Sequence, residues 1–266
     1  MTDKMLQLDE IIRGYGRVIV GFSGGVDSTL VAYAANKILG ANALIILGRM
    51  ETITSDDVEL ARSIALENRF NYREISYNEL EIDQYASNPV NRCYFCRREL
   101  FSRLKNLANE ENIPFILDGA NLDDTSDYRP GRIAAKESDV RSPLIEAKMT
   151  KQDVRSAAKF YNLPNSDKPA SPCLSSRIPY GIHIDRKALE QIASAEKFIR
   201  EKGFTNVRVR HYQTTAKIEV DAWAIDKLKQ MNDIVESHLK QLGYVEIIID
   251  EEGFQSGKLN KGIVKE

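Results

Sequence analysis

The sequence predicts an α/β protein: a parallel sheet covered by helices, with a smaller C-terminal α+β domain after it. Three observations predict this. Short apolar runs at residues 17–22, 43–47, 71–76 and 114–117 alternate with stretches of helical periodicity, the pattern of strand–helix–strand crossovers. A proline-dense segment, with Pro164, Pro169, Pro172, Pro179 and Gly181, interrupts that pattern. Beyond it the order becomes helix, two alternating strands, helix, strand. The expected domains are therefore residues 1–170 and 171–266.

Each element has a local reason. Arg17-Val18-Ile19-Val20-Gly21-Phe22 reads as a strand buried on both faces. A glycine turn follows, then a helix over 26–39 that Gly40 ends. Residues 43–47 form the second strand. Thr54 is placed to cap the next helix, and Asp56, Asp57 and Glu59 in its first turn complement the helix dipole. Residues 71–76 and 114–117 are the third and fourth strands, with a helix over 98–110 between them. Thr150 caps a helix over 151–161. The C-terminal part reads as a helix over 186–202, strands at 207–212 and 216–221, one helix over 222–242, and a strand at 245–250.

Composition narrows the function classes. The 266 residues are 42% hydrophobic and 29% charged, which excludes bulk disorder and collagen-like repeats. Lys plus Arg number 37 against 39 Asp plus Glu, so there is no basic excess of the kind a nucleic-acid binder carries. No apolar run is long enough to span a bilayer. Met1-Thr2-Asp3-Lys4 does not open a signal peptide. A cytoplasmic protein with neither nucleic-acid nor membrane partner is expected. Three cysteines, few and odd in number, argue against a disulfide scaffold.

Ser23-Gly24-Gly25-Val26-Asp27-Ser28 joins the first strand to the first helix. Its glycines let backbone approach a ligand, and the helix start offers unpaired N–H groups to an anion. It is neither a GxxxxGK[ST] nor a GxGxxG loop. It resembles the PP-loop of the ATP pyrophosphatase superfamily. That resemblance implies ATP bound at Ser23, Gly24, Gly25, Asp27 and Ser28, adenylation of a substrate, and release of pyrophosphate. Gly119-Ala120-Asn121-Leu122-Asp123-Asp124 resembles a segment found in several branches of that superfamily. At a strand's carboxyl end, Asp123 or Asp124 suits Mg2+ held between phosphates, and a helix cap is the other reading. Asp27 beside phosphate makes sense chiefly with a metal or a cationic group between them.

Cys93-Tyr94-Phe95-Cys96 places two thiols within one helical turn, and Cys173 stands in Pro172-Cys173-Leu174-Ser175-Ser176-Arg177. Zinc, with His183 as a fourth ligand, an iron–sulfur cluster, a redox pair and plain burial are all open readings. Three thiolates on a 4Fe-4S cluster would leave one iron without a protein ligand, able to carry sulfur. An ATP-activating loop on the same chain supplies the other half of a sulfur-insertion reaction.

The whole set resembles the LarE family of sulfur transferases. The matching pieces are residues 23–28, Asp118-Gly119, the run Asp123-Asp124-Thr125-Ser126-Asp127-Tyr128-Arg129-Pro130-Gly131, residues 172–177, and Val207-Arg208-Val209-Arg210-His211. The resemblance implies a pyridinium-3,5-biscarboxylic acid mononucleotide substrate, sulfur insertion in nickel-pincer cofactor biosynthesis and lactate racemase maturation, and a homohexamer. It further implies one of two sulfur routes. Either Cys173 gives up its own sulfur, or Cys93, Cys96 and Cys173 hold a 4Fe-4S cluster supplied by sulfide or another sulfur donor. The extra pair, Cys93 and Cys96, fits the cluster pattern. Arg208 and Arg210 alternate onto one strand face, and the resemblance assigns them to the substrate phosphate, with Glu196 and Glu219 near by. Arg177 is expected to stabilise a thiolate or the activated carboxylate, or to anchor the loop. A cluster-dependent tRNA thiolase is the rival within the superfamily. It commonly adds zinc-finger cysteines and a basic RNA-binding surface, both absent here.

Overall fold

The computed structural model describes residues 1–125, 130–169, 171–255 and 258. The elements run α1 (Asp3–Tyr15), β1 (Val18–Phe22), α2 (Val26–Leu39), β2 (Ala43–Arg49), α3 (Ser55–Glu67), β3 (Tyr72–Ser76), α4 (Asp83–Ala86), α5 (Arg92–Glu110), β4 (Phe115–Leu117) and α6 (Pro130–Glu137). They continue with α7 (Pro143–Glu146), α8 (Lys151–Phe160), α9 (Arg186–Glu201), β5 (Val207–Tyr212), β6 (Thr215–Val220), α10 (Ile225–Gln230), α11 (Asn232–Gln241) and β7 (Glu246–Ile249). The chain forms two compact units, Met1–Glu79 with Asn91–Ser171, and Leu80–Val90 with Pro172–Glu266.

The first unit holds a four-stranded parallel sheet in the order β3-β2-β1-β4. Its central strands are buried on both faces, and the alternation assigns each side chain to a face. Val18, Val20, Phe22, Ile45 and Leu47 join the core made with α1, α2, α3, α7 and α8. Ile19, Leu44 and Ile46 join the opposite core, with Leu100, Phe101 and Leu104 of α5 and Ala134 and Ala135 of α6. Thr54 and Thr150 cap α3 and α8 as expected, the latter in a reciprocal box with Asp153.

In the second unit, β5 and β6 pair antiparallel and β7 adds parallel to β6. Val207, Val209, Ala216, Ile218 and Val220 pack with Ala195 and Ile199 of α9 and Val235 and Leu239 of α11.

Two expectations are corrected, and four helices were not anticipated: the amphipathic α1, which buries Met5, Leu8 and Ile12, and the shorter α4, α6 and α7. The helix expected at 98–110 starts at Arg92, so both Cys93 and Cys96 are helical. The single helix expected over 222–242 is a 3-10 turn and two helices that break at Met231, whose ψ of 11° departs from helix.

Candidate active site

β1 feeds α2 through a three-residue turn, Ser23, Gly24 and Gly25. Gly24 has φ +70°, and a Cβ there would stand 3.0 Å from the Ala61 Cβ, so only glycine suits the position. The N-cap of α2 is Gly25, with no side-chain cap, which leaves first-turn N–H groups for an anion. Ser28 knits the turn: its Oγ accepts the Ser23 N–H at 3.1 Å, donates to the Gly25 carbonyl at 3.1 Å and lies 3.0 Å from Ser23 Oγ.

The segment after β4 closes onto this turn. A Cβ on Gly119 would fall 2.6 Å from the Ser28 amide nitrogen and 2.8 Å from its Cα. The two backbones therefore touch, and glycine is required for that reason. Asp118, buried, accepts from Ala120 N–H at 3.1 Å and Ser142 Oγ at 2.7 Å, which fixes the segment's exit from the strand. Asn121 donates from Nδ2 to Asp27 Oδ1 at 3.1 Å.

The acidic residues are already engaged. Asp27 Oδ2 receives Lys151 Nζ at 2.5 Å. Asp123 Oδ2 accepts the Lys151 backbone N–H at 2.9 Å, so it does attend a helix start, that of α8. Asp124, buried, accepts the Asn121 N–H at 3.0 Å. Residues 126–129 of the family run lie outside the described residues.

Three contributors escaped the sequence reading. Lys151 brings a cation to a loop that has none. Asn165, buried, donates both amide hydrogens to the loop, to Gly24 O and Thr29 Oγ1, each at 2.8 Å. Glu79, also buried, accepts the Glu51 and Thr52 N–H groups at 3.1 and 3.2 Å and the Thr52 hydroxyl, pinning the turn at the carboxyl end of β2. Burial pushes the Glu79 carboxyl above its ordinary range, against those hydrogen bonds. None of the three carries a local sequence signal, because each acts on residues far along the chain.

Cys93 and Cys96 lie one turn apart near the start of α5. Cys93 is exposed, Cys96 half-buried with Sγ 3.8 Å from Met50 Sδ, and neither is in a disulfide. Cys173, likewise half-buried and outside any disulfide, precedes the 3-10 turn 174–177 of the second unit. Among the described residues, no three His, Cys, Asp or Glu side chains form a group able to hold a metal ion.

The Cys173 turn is built by a part of the chain far away in sequence. Asn88, fully buried with φ 56°, donates from Nδ2 to the carbonyls of Pro179 and Ile182 at 2.8 and 2.9 Å. Tyr85 Oη lies 2.6 Å from Ser175 Oγ. Arg177 is the centre of the turn. It makes a bidentate pair with Glu196 at 2.8 and 2.9 Å, and its Nη1 donates to the carbonyls of Pro172 and Cys173 and to Ser176 Oγ. Glu196 also accepts the Val209 N–H at 3.1 Å.

Arg208 and Arg210 do share a strand face, with Arg208 opposite Glu219. Arg210 is committed to the fold: it donates to Ser176 O at 2.9 Å and to Glu219 Oε2 at 2.6 Å. Arg208 stacks over the Phe254 ring at 5.3 Å. Burial, then the cations of Arg177, Arg210 and Arg200, lower its pKa to about 10 against the pull of Glu196. His211 lies 3.1 Å from Tyr244 Oη through Nδ1, and burial lowers its pKa while Asp185 opposes the shift.

Comparison with known proteins places these units. A family model described as NAD synthase matches residues 5–109, from α1 through most of α5. An uncharacterised protein of Synechocystis is 38% identical over all of both chains. The pyridinium-3,5-bisthiocarboxylic acid mononucleotide synthase of Lactiplantibacillus plantarum is 35% identical over all of this chain and 96% of its own. This chain belongs to the LarE family. An uncharacterised protein of Methanocaldococcus jannaschii is 27% identical over 90% of this chain and 91% of its own. The LarE match spans both units, whereas the NAD synthase match ends before β4 and Cys173. No helix among the described residues is long and apolar enough to cross a membrane.

Proposed function

We propose that this chain performs ATP-dependent sulfur insertion into pyridinium-3,5-biscarboxylic acid mononucleotide, a step in making the nickel-pincer nucleotide cofactor in the cytoplasm. The observation that carries the reading is the match to a synthase, named for a bisthiocarboxylic product, over the full length of both units. The glycine turn of the first unit adds the physical support: an anion cradle at the carboxyl edge of a parallel sheet.

In this reading Ser23, Gly24, Gly25 and Ser28 hold the ATP phosphates, and Asp27, Asp123 and Asp124 serve the accompanying Mg2+. A ring carboxylate of the substrate attacks the α-phosphorus, pyrophosphate leaves, and sulfur then attacks the acyl carbon as AMP leaves. Arg208 and Arg210 take the substrate phosphate, as paired guanidiniums suit. Glu219 aims Arg210. Glu196 and Arg177 hold the Cys173 turn.

Cys93, Cys96 and Cys173 are assigned to a 4Fe-4S cluster. Their chemistry suits it: the chain has three thiols, two of them one helix turn apart. When bound on three thiolates, such a cluster supplies a site for sulfide at the iron left without a protein ligand. Cys→Ala at any one position is expected to abolish both the visible absorbance of the thiolate-bound cluster and repeated sulfur transfer. Mass spectrometry after turnover with sulfide tests the reading. Intact Cys173 and several products per chain are expected. Loss of one sulfur from Cys173 for each product would instead make Cys173 a consumed donor.

A further inference from the structure

The Cys93–Cys96 pair has a third sulfur beside it. The two cysteines are three residues apart on α5 and so neighbour each other on the helix surface. Cys96 Sγ donates to Met50 Sδ at 3.8 Å. A second partner holds the thioether, since the Tyr77 hydroxyl donates to the same sulfur at 2.8 Å. Tyr77 is buried. Burial, then the neighbouring Cys96 and Glu79, raise its pKa, so the phenol keeps its proton.

The backbone is shaped for this approach. A Cβ on Gly48 of β2 would stand 3.1 Å from Leu100 Cδ1 and 3.8 Å from Tyr77 Cε1, so glycine lets α5 lie close against the end of the strand. Met50 directly follows β2, and its turn is fixed on the far side. The Ile53 N–H donates to the Met50 carbonyl at 3.2 Å, and Glu79 binds the Glu51 and Thr52 amides.

Two sulfurs bound to one ion at about 2.3 Å each, at an angle between tetrahedral and trigonal, stand about 3.8–4.0 Å apart. Cys96 and Met50 are therefore spaced as two ligands of a single ion. No third His, Cys, Asp or Glu side chain completes a metal-holding group with the cysteine pair among the described residues. The donor set is two thiols and a thioether, and soft sulfur ligands of that kind select Cu(I), whereas a structural zinc ion takes four ligands.

We propose that Cys93, Cys96 and Met50 form a three-sulfur site for one thiophilic monovalent cation, Cu(I), complete within the first unit. Binding displaces the two thiol protons to solvent, and the copper stays monovalent throughout. The site goes beyond the cluster reading, because it makes no use of Cys173. It takes two of the thiolates assigned to the cluster, so ion and cluster exclude each other.

The test is an anaerobic titration of the reduced, cluster-free full chain with Cu(I) against a chromogenic Cu(I) chelator. Met50→Leu conserves side-chain volume and removes the thioether. It is expected to weaken binding by about tenfold or more, at least the effect of losing an outer-shell support. Cys173→Ala is expected to bind as the parent does. X-ray absorption at the copper edge is expected to count three sulfurs in the parent and two in Met50→Leu. Equal affinity in the parent and Met50→Leu would mean that the cysteines alone take up copper adventitiously, and the proposal would be wrong. A matching loss in Cys173→Ala would put the ion among the three cysteines and overturn it as well, as would a parent chain that takes up no copper. If Met50→Leu does not fold, the parent spectrum decides alone, and two sulfurs there contradict the site. Copper uptake needs no ATP, mononucleotide or sulfide. Failed sulfur transfer therefore counts against the proposed function alone, and a missing methionine effect against this site alone.

Discussion

The phosphate turn of the first unit and the Arg177–Glu196 centre of the second are built on opposite principles. The turn is made of backbone: glycines, a helix start and hydroxyls, with the Lys151–Asp27 pair partly exposed beside it. The centre is made of charges buried to the last few per cent, with Arg177 at 3% and Glu196 at 0% side-chain exposure. A site made of backbone fails when atoms are added. A buried ionic site tolerates little change in charge, because removing one partner strands the other.

The largest effect is therefore expected at Glu196. Glu196→Ala leaves Arg177 buried without its bidentate partner and frees the Val209 N–H, at a cost of about 3–5 kcal/mol. Urea denaturation followed by circular dichroism measures it, and a loss below ~1 kcal/mol would mean that the pair is solvated.

The strand pair sharpens the contrast within one face. Arg210→Ala breaks a buried pair and the tie to Ser176, so it is expected to lower both stability and mononucleotide affinity. Arg208→Ala removes a guanidinium stacked on Phe254 and is expected to impair mononucleotide affinity with the smaller loss of melting temperature. ATP affinity should hold in both. Equal melting temperatures in the two variants would erase the distinction between the buried, ion-paired arginine and the stacked one.

In the first unit, Gly119→Ala adds a Cβ 2.6 Å from the Ser28 amide, backbone against backbone. Overpacking of this kind costs about 1–3 kcal/mol, and pyrophosphate affinity is expected to fall with it. Unchanged affinity would mean that the turn does not form the anion site.

The smallest expected effect is His211. Its folded pKa lies below the unfolded value near ~6.5, because burial disfavours the imidazolium. The contribution of neutral His211 is present above that unfolded value and is lost as pH falls through the folded pKa. An NMR titration of its ring proton is expected to show a midpoint below ~6.5. His211→Gln is expected to flatten the acid limb of the stability curve.

What was legible in the sequence was what is decided locally. The strand–turn–helix at Phe22 to Val26 and the caps at Thr54 and Thr150 each depend on neighbours within a few residues. The break at Met231 was not legible, since 222–242 carries no proline or glycine before Gly243 and its propensities favour one helix. The excursion Leu80–Val90 was equally hidden. Its reason is Asn88, whose amide is spent on carbonyls some ninety residues ahead. Lys151 and Asn165 escaped for the same reason: their partners at Asp27, Gly24 and Thr29 are brought to them by the fold. The sequence pattern located the loop, and tertiary structure chose its supports.

The central claim is that ATP is spent on a pyridinium carboxylate. Pyrophosphate release by the full chain, with Mg-ATP and with or without pyridinium-3,5-biscarboxylic acid mononucleotide, tests it directly. The account predicts release that requires the mononucleotide, produces AMP in equal amount once sulfide is present, and disappears in Asp27→Ala. Release that proceeds equally without the mononucleotide, or that requires tRNA in its place, would contradict it.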